Sequence, residues 1–246
     1  MAFRASGVLV IAFAVLLSGV APAGAADANG RREILLGWSV HDRPIVAVES
    51  GDFDASRRIL VVGCIHGNEP AGIAVAHQLD EEPPPHELDL WVIPNLNPDG
   101  AAAGTRGNAH GVDLNRNFPW RWRRLAGVHD SGPQPLSEPE SRLAYALITT
   151  LSPRVSIWFH QHLDLVDESG GAVTVERRFA RLTRMRFSRL PREPGSVVGW
   201  ENHLDPSASA FVVELARGSL SPTVAGRLAH AVIALGRERI AADRES

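Results

Sequence analysis

Two histidines and two glutamates stand where apolar runs of this chain end. His66 and Glu69 fall in "CIHGNEPAG", His160 closes "RVSIWFH", and Glu214 closes the apolar part of "SASAFVVEL". Imidazole and carboxylate are the usual donors to a catalytic zinc, which takes three protein ligands and keeps a fourth position for water. His66 and Glu69 are three residues apart across what reads as a strand-to-helix turn, close enough to share one ion. His160 is the candidate third ligand. A His-x-x-Glu by itself is equally a polar loop, being far looser than His-Glu-x-x-His. Glu214 is costly at the end of an apolar strand without a partner or a task. It reads either as the base for a zinc-activated water or as one half of a salt bridge to Arg217. Arg106 and Arg116 lie in a polar segment. Arg is the planar, bidentate partner of carboxylates, although a solvated surface charge is its usual state. Cys64, the only cysteine, reads as a small buried hydrophobe.

The elements that would position these groups follow from periodicity and punctuation. "REILLGWSV" and "RPIVAVES" are short strand candidates around a turn, and "RRILVVGCI" is a continuous apolar run of the buried parallel type. A helix is expected from near Pro70, since Pro suits the first helical turn, and Gly67 suits a tight turn before it. "LDLWVIPNLNPDG" reads as a second buried strand ending in turn chemistry at residues 97–100. Residues 101–135 show little periodicity, and a connection that long usually serves a binding site. Ser137 and Glu140 form a capping box for the next helix. "GGAVTVERRFARLTRM" reads as a turn, a short strand and a helix. The last helix is "SPTVAGRLAHAVIALGRERI". Strands alternating with helices imply an α/β/α sandwich around a mixed, largely parallel sheet. Ligands of such sheets bind beyond the carboxyl ends of the strands, where His66, His160 and Glu214 fall.

The N-terminus carries Arg4, an apolar run at residues 7–17 and an Ala-x-Ala site at Ala23 and Ala25. This is the pattern of a signal peptide over residues 1–25. The apolar run is well short of the roughly 20 residues that a membrane span needs. One catalytic domain over residues 26–246, secreted or periplasmic and without a membrane span after cleavage, is the expectation. All 25 basic residues are Arg, the formal charge is −3, and no basic stripe interleaves with aromatics. That balance excludes nucleic acid as the expected partner.

Taken together, "HGNE", "NPDG", "GVDLNRNFP", "SGPQPLSEPE" and "FVVEL" resemble, in order, the segments of the zinc carboxypeptidase family. The resemblance runs over residues 64–215 and is nearest the small bacterial branch that includes murein peptide amidases. It implies one zinc ion on His66, Glu69 and His160, with the nearby His162 as a competitor for the third place. It implies Glu214 as general base and Arg106 as the arginine that polarises the scissile carbonyl. Asn115 and Arg116 would grip a terminal carboxylate. The implied substrate is a peptide or muropeptide, cut at a C-terminus or at the γ-D-glutamyl–diaminopimelate bond of a peptidoglycan stem. A deacylase of N-acyl amino acids, similar to aspartoacylase, shares "HGNE" and "DLNR"; a non-catalytic murein-binding module is the other alternative. The substrate-binding tyrosine of the digestive enzymes has no counterpart in "PREPGSVVGWENHLDP". Trp200 and His203 are the candidates for its place, with a structural role the other reading of His203.

Overall fold

The computed structural model describes residues 26–27, 30–83 and 85–238, so the expected signal peptide at residues 1–25 lies outside the described residues. Eight strands form one sheet: β1 (Arg31–Trp38), β2 (Pro44–Gly51), β3 (Arg58–Val62), β4 (Asp89–Ile93), β5 (Val155–Gln161), β6 (Leu165–Asp167), β7 (Arg186–Ser188) and β8 (Ser209–Leu215). Their order is β1-β2-β4-β3-β5-β8-β6-β7. The central run β4-β3-β5-β8 is parallel, with β1 and β2 added antiparallel on one flank. On the other flank β6 pairs antiparallel with β8 and parallel with β7.

The described residues form six α-helices: α1 (Gly72–Glu81), α2 (Pro98–Ala103), α3 (Pro139–Leu151), α4 (Val173–Thr183), α5 (Val197–Leu204) and α6 (Pro222–Arg237); all but α2 pack on the sheet faces. Alternate side chains of one strand serve opposite cores, as the pleat requires. Ile59 and Val61 pack with α1, α4 and α6, whereas Leu60 and Val62 pack with α3 and α5. This is the three-layer sandwich expected from the sequence. Among the described residues no helix is long and apolar enough to cross a membrane.

Four local expectations are corrected. "NPDG" opens helix α2 rather than a turn: Asn97 caps it, its side chain accepting from the Gly100 amide, with Pro98 in the first turn. The turn residues and the helix-start residues are the same ones, so sequence cannot separate the two readings. Helix α3 starts after Glu138, not Ser137, whose hydroxyl instead donates to Glu138. No strand precedes α4 within residues 170–185; β6 and β7 lie on either side of that stretch. Helix α5 occupies residues to which the sequence assigned no element, capped by Ser196 through the Gly199 amide.

Candidate metal centre

Strand β3 ends just before His66, and a single turn carries the chain to Glu69 and α1. Strand β5 brings His160 beside this turn. His66 Nδ1 lies 3.0 Å and His160 Nδ1 3.1 Å from the same oxygen, Glu69 Oε2, and the two Nδ1 atoms are 3.1 Å apart. Three atoms able to ligate a cation thus meet at one point. The donor set of two imidazoles and a carboxylate suits zinc, and the three residues form a group able to hold a metal ion. His162 is exposed and stands outside it.

The surroundings fix His66 and Glu69, whereas His160 Nε2 is buried without a partner. Asp113, fully buried, faces His66 Nε2 at 3.0 Å; with a metal bound, a hydrogen held on Nε2 by Asp113 would turn a bare Nδ1 to the ion. The same carboxylate accepts from Arg106 Nε at 2.8 Å and pairs with His129 Nδ1 at 3.3 Å. Arg106 Nη1 also donates to Glu69 Oε1 at 2.9 Å. Burial alone would raise the Glu69 carboxyl, but hydrogen bonds from His160 and His66 hold it well below the usual range. For Asp113, too, burial is outweighed, here by the charge and hydrogen bond of His66.

Glu214 sits next to this group because β5 and β8 are parallel neighbours in which His160 and Glu214 are register partners. Its Oε2 is buried and unpartnered, and it forms no ion pair among the described residues, so the bridge to Arg217 is not made. Burial and the charge of Glu69 push its carboxyl up to about 7. Asn115 and Arg116 are both buried on the adjoining wall. Asn115 Oδ1 accepts from the Val197 amide in the first turn of α5, so its amide nitrogen is the group left to donate. Arg116 Nη1 donates to the Asn115 carbonyl, and its Nε has no partner. The seven residues singled out from the sequence, His66, Glu69, Arg106, Asn115, Arg116, His160 and Glu214, line one cleft of about 250 Å³.

Residues 27–166 match the family model described as zinc carboxypeptidase. The chain belongs to the zinc carboxypeptidase family. Murein peptide amidase A of Escherichia coli K12 is 32% identical over 123 residues, 44% of this chain and 51% of that protein. The chain spans little more than half the length of the murein peptide amidases that it matches, and less of the other curated relatives. Among solved structures, the murein-tripeptide amidase from Escherichia coli O157 superposes with a TM-score of 0.68 at 24% identity, covering 84% of this chain and 92% of that one. Carboxypeptidase A from Helicoverpa armigera gives 0.71 at 18% identity, covering 85% and 68%. Both likenesses concern the fold.

In this member of the zinc carboxypeptidase family neither Trp200 nor His203 lines the cleft. Trp200 is stacked between Phe118 and Tyr145 in the core, and His203 stacks on Trp120 with centroids 3.4 Å apart. The only tyrosine is therefore also a packing residue. Cys64 is buried, donates to the His66 carbonyl, and is pushed up to about 12 by burial, which leaves it an inert thiol. The cleft is also lined by Asp167, Arg192 and Glu193 with Val198 and Val212. Sequence reasoning missed these charged residues. It also missed Asp113, although the aspartate stands inside a quoted motif. Gly67 is not needed for its backbone angles. A Cβ there would lie 1.9 Å from the Gly100 backbone carbon, so Gly67 serves a close approach between the metal turn and α2.

Proposed function

We propose that this chain hydrolyses an amide bond whose leaving residue carries a free carboxylate. The observation that carries the reading is the meeting, in one cleft, of a zinc-type donor triad, the half-buried Glu214 carboxyl with its Oε2 unpartnered, and a buried Asn–Arg pair. His66, Glu69 and His160 would hold zinc, which when bound acidifies water and polarises a carbonyl. Glu214 takes the proton of the attacking water at Oε2 and returns it to the leaving nitrogen. A carboxyl near 7 suits both transfers at neutral pH. Arg106, steadied by Asp113 and Glu69, donates toward the carbonyl oxygen as it gains charge. Asn115 Nδ2 and the Arg116 guanidinium take the substrate carboxylate, which places the scissile bond next to a carboxylate-bearing residue.

The murein peptide amidases among the relatives, together with the signal-peptide pattern, support a peptidoglycan stem peptide as substrate and an extracytoplasmic setting. The test is hydrolysis of a muropeptide, a C-terminal peptide and an N-acyl amino acid by the purified chain, with and without chelator. Muropeptide cleavage that stops with chelator is expected. N-acyl amino acid cleavage alone would replace this reading by the deacylase one. Glu214→Gln should keep zinc and lose at least about a hundredfold in kcat, the scale of one general-base contribution. Near-normal turnover would remove Glu214 from the role.

A further inference from the structure

The cleft contains a third guanidinium that the proposed chemistry leaves unused. Arg192 lies on the cleft wall with its side chain 33% exposed. Its Nη1 donates at 2.9 Å to Oδ2 of Asp167, whose side chain is only 5% exposed. Asp167 does not depend on Arg192 for its hydrogen bonds. Its Oδ1 accepts from the Leu190 amide at 2.7 Å, and Oδ2 also accepts from the Ser169 hydroxyl at 2.6 Å. Ser169 Oγ is fixed in turn by the Val212 amide on β8. The guanidinium is thus held from behind by an anchored buried carboxylate. Nε and Nη2 have no hydrogen-bond partner among the described residues.

The other charges of the cleft are accounted for. Arg106 is spanned by Glu69 and Asp113, and Arg116 faces Glu193 at 3.6 Å on the rim. The same cleft is lined by the apolar Leu163, Leu190, Pro191, Val198 and Val212. A guanidinium with two free donors in a cleft that also holds apolar side chains suits a ligand with an aliphatic stem and a terminal carboxylate. Because Asp167 offsets its charge, Arg192 selects by fork geometry rather than by bulk field.

We propose that Arg192 is a specificity-determining residue, which binds a second carboxylate on the side chain of the leaving residue while Arg116 takes the first. The cleft then reads a dicarboxylate residue, and Asp167 is the positioning residue for its guanidinium. This inference rests on the hydrolase reading above.

Two substrates that differ in a single group test it: γ-D-glutamyl-meso-diaminopimelate, and γ-D-glutamyl-L-lysine, which lacks the distal carboxylate. The readout is the ratio of their kcat/KM values. The zinc-loaded wild type should favour diaminopimelate by roughly ten- to a hundredfold, the scale of a hydrogen bond to a charged group. Arg192→Gln should collapse that ratio toward unity. Arg192→Lys keeps a charge beside Asp167 and is the variant to read should the first not fold. It too should lower the ratio, because an ammonium cannot form the fork. An equal ratio in wild type and variants, or no preference in the wild type, would overturn the proposal. If the wild type hydrolyses neither compound, the hydrolase reading fails. Calorimetric binding of free diaminopimelate against lysine then decides the role of Arg192: tighter diaminopimelate binding that Arg192→Gln abolishes supports it, and equal binding refutes it.

Discussion

Asp113 ties together several parts of the site. It orients His66, holds Arg106 through Nε and accepts from the backbone amide of Asn115 at 3.0 Å. Asp113→Asn keeps the shape but cannot serve these donors equally, since an amide offers one acceptor oxygen where the carboxylate offers two. Zinc affinity should fall roughly ten- to a hundredfold, the usual effect of removing a partner behind a ligand. A chelator-competition titration reads this directly, and unchanged affinity would show that His66 needs no such support. The ligands were legible because each ends an apolar run, and position along a strand survives in one dimension. Asp113 was not, because nothing in the spacing of residue 113 from residue 66 signals that they touch. Asp167 and Arg192 were hidden for the same reason. They meet across 25 positions of sequence, and in one dimension Arg192 is only another charge near prolines.

The turn of residues 63–72 is built by glycines that admit neighbouring backbone. A Cβ on Gly72 would lie 2.2 Å from the Gly63 carbonyl oxygen and 2.5 Å from the Phe159 Cβ, and one on Gly67 would strike α2. Helix α1 can therefore start directly on the strand ends, with Glu69 pointing between His66 and His160. Gly67→Ala forces the turn away from rigid backbone on α2, not from a flexible side chain. It should cost about 1–3 kcal/mol of stability, the range for overpacking. It should also weaken zinc binding, since the turn carries two of the three ligands. Urea denaturation with a zinc titration checks both, and a variant with native stability and affinity would show that the turn has slack. Elements such as β3, β5, β8 and α6 were readable because each lies in an apolar or periodic run of sequence longer than the local noise. The three-residue strands β6 and β7 carry too few positions for alternation to register. The eight residues of α5 lie between a proline-rich approach and Asp205-Pro206, which masks their helical character.

At the scale of the whole molecule the sheet places its chemistry at one edge and a second set of buried acids elsewhere. Glu201 on α5 accepts from Trp158 Nε1 at 2.7 Å, and burial pushes it up to about 7. Glu176 on α4, whose Oε2 lacks a partner, is likewise pushed up by burial to about 7. Burial lifts Glu214 to about 7 and Asp89 to about 6. These groups hold their protons in the folded state and release them on unfolding. Stability therefore falls as pH rises from the ordinary carboxylate value through about 7, by at most about 1.4 kcal/mol per pH unit for each such group. Glu69 and Asp113 have the opposite sign, since their depressed values add stability that is lost as pH falls below the ordinary range. The metal-free chain should therefore be most stable in mildly acidic solution and lose stability toward pH of about 8. Urea midpoints measured across that range in the presence of chelator test this. Glu201→Gln separates the cause from a general charge effect. The amide still accepts from Trp158 but has no proton to lose, so the decline should become shallower while stability at low pH is nearly kept. A slope identical to the wild type would mean that Glu201 is ionised in the folded protein and that its surroundings are more polar than Trp158 and Ser156 alone provide.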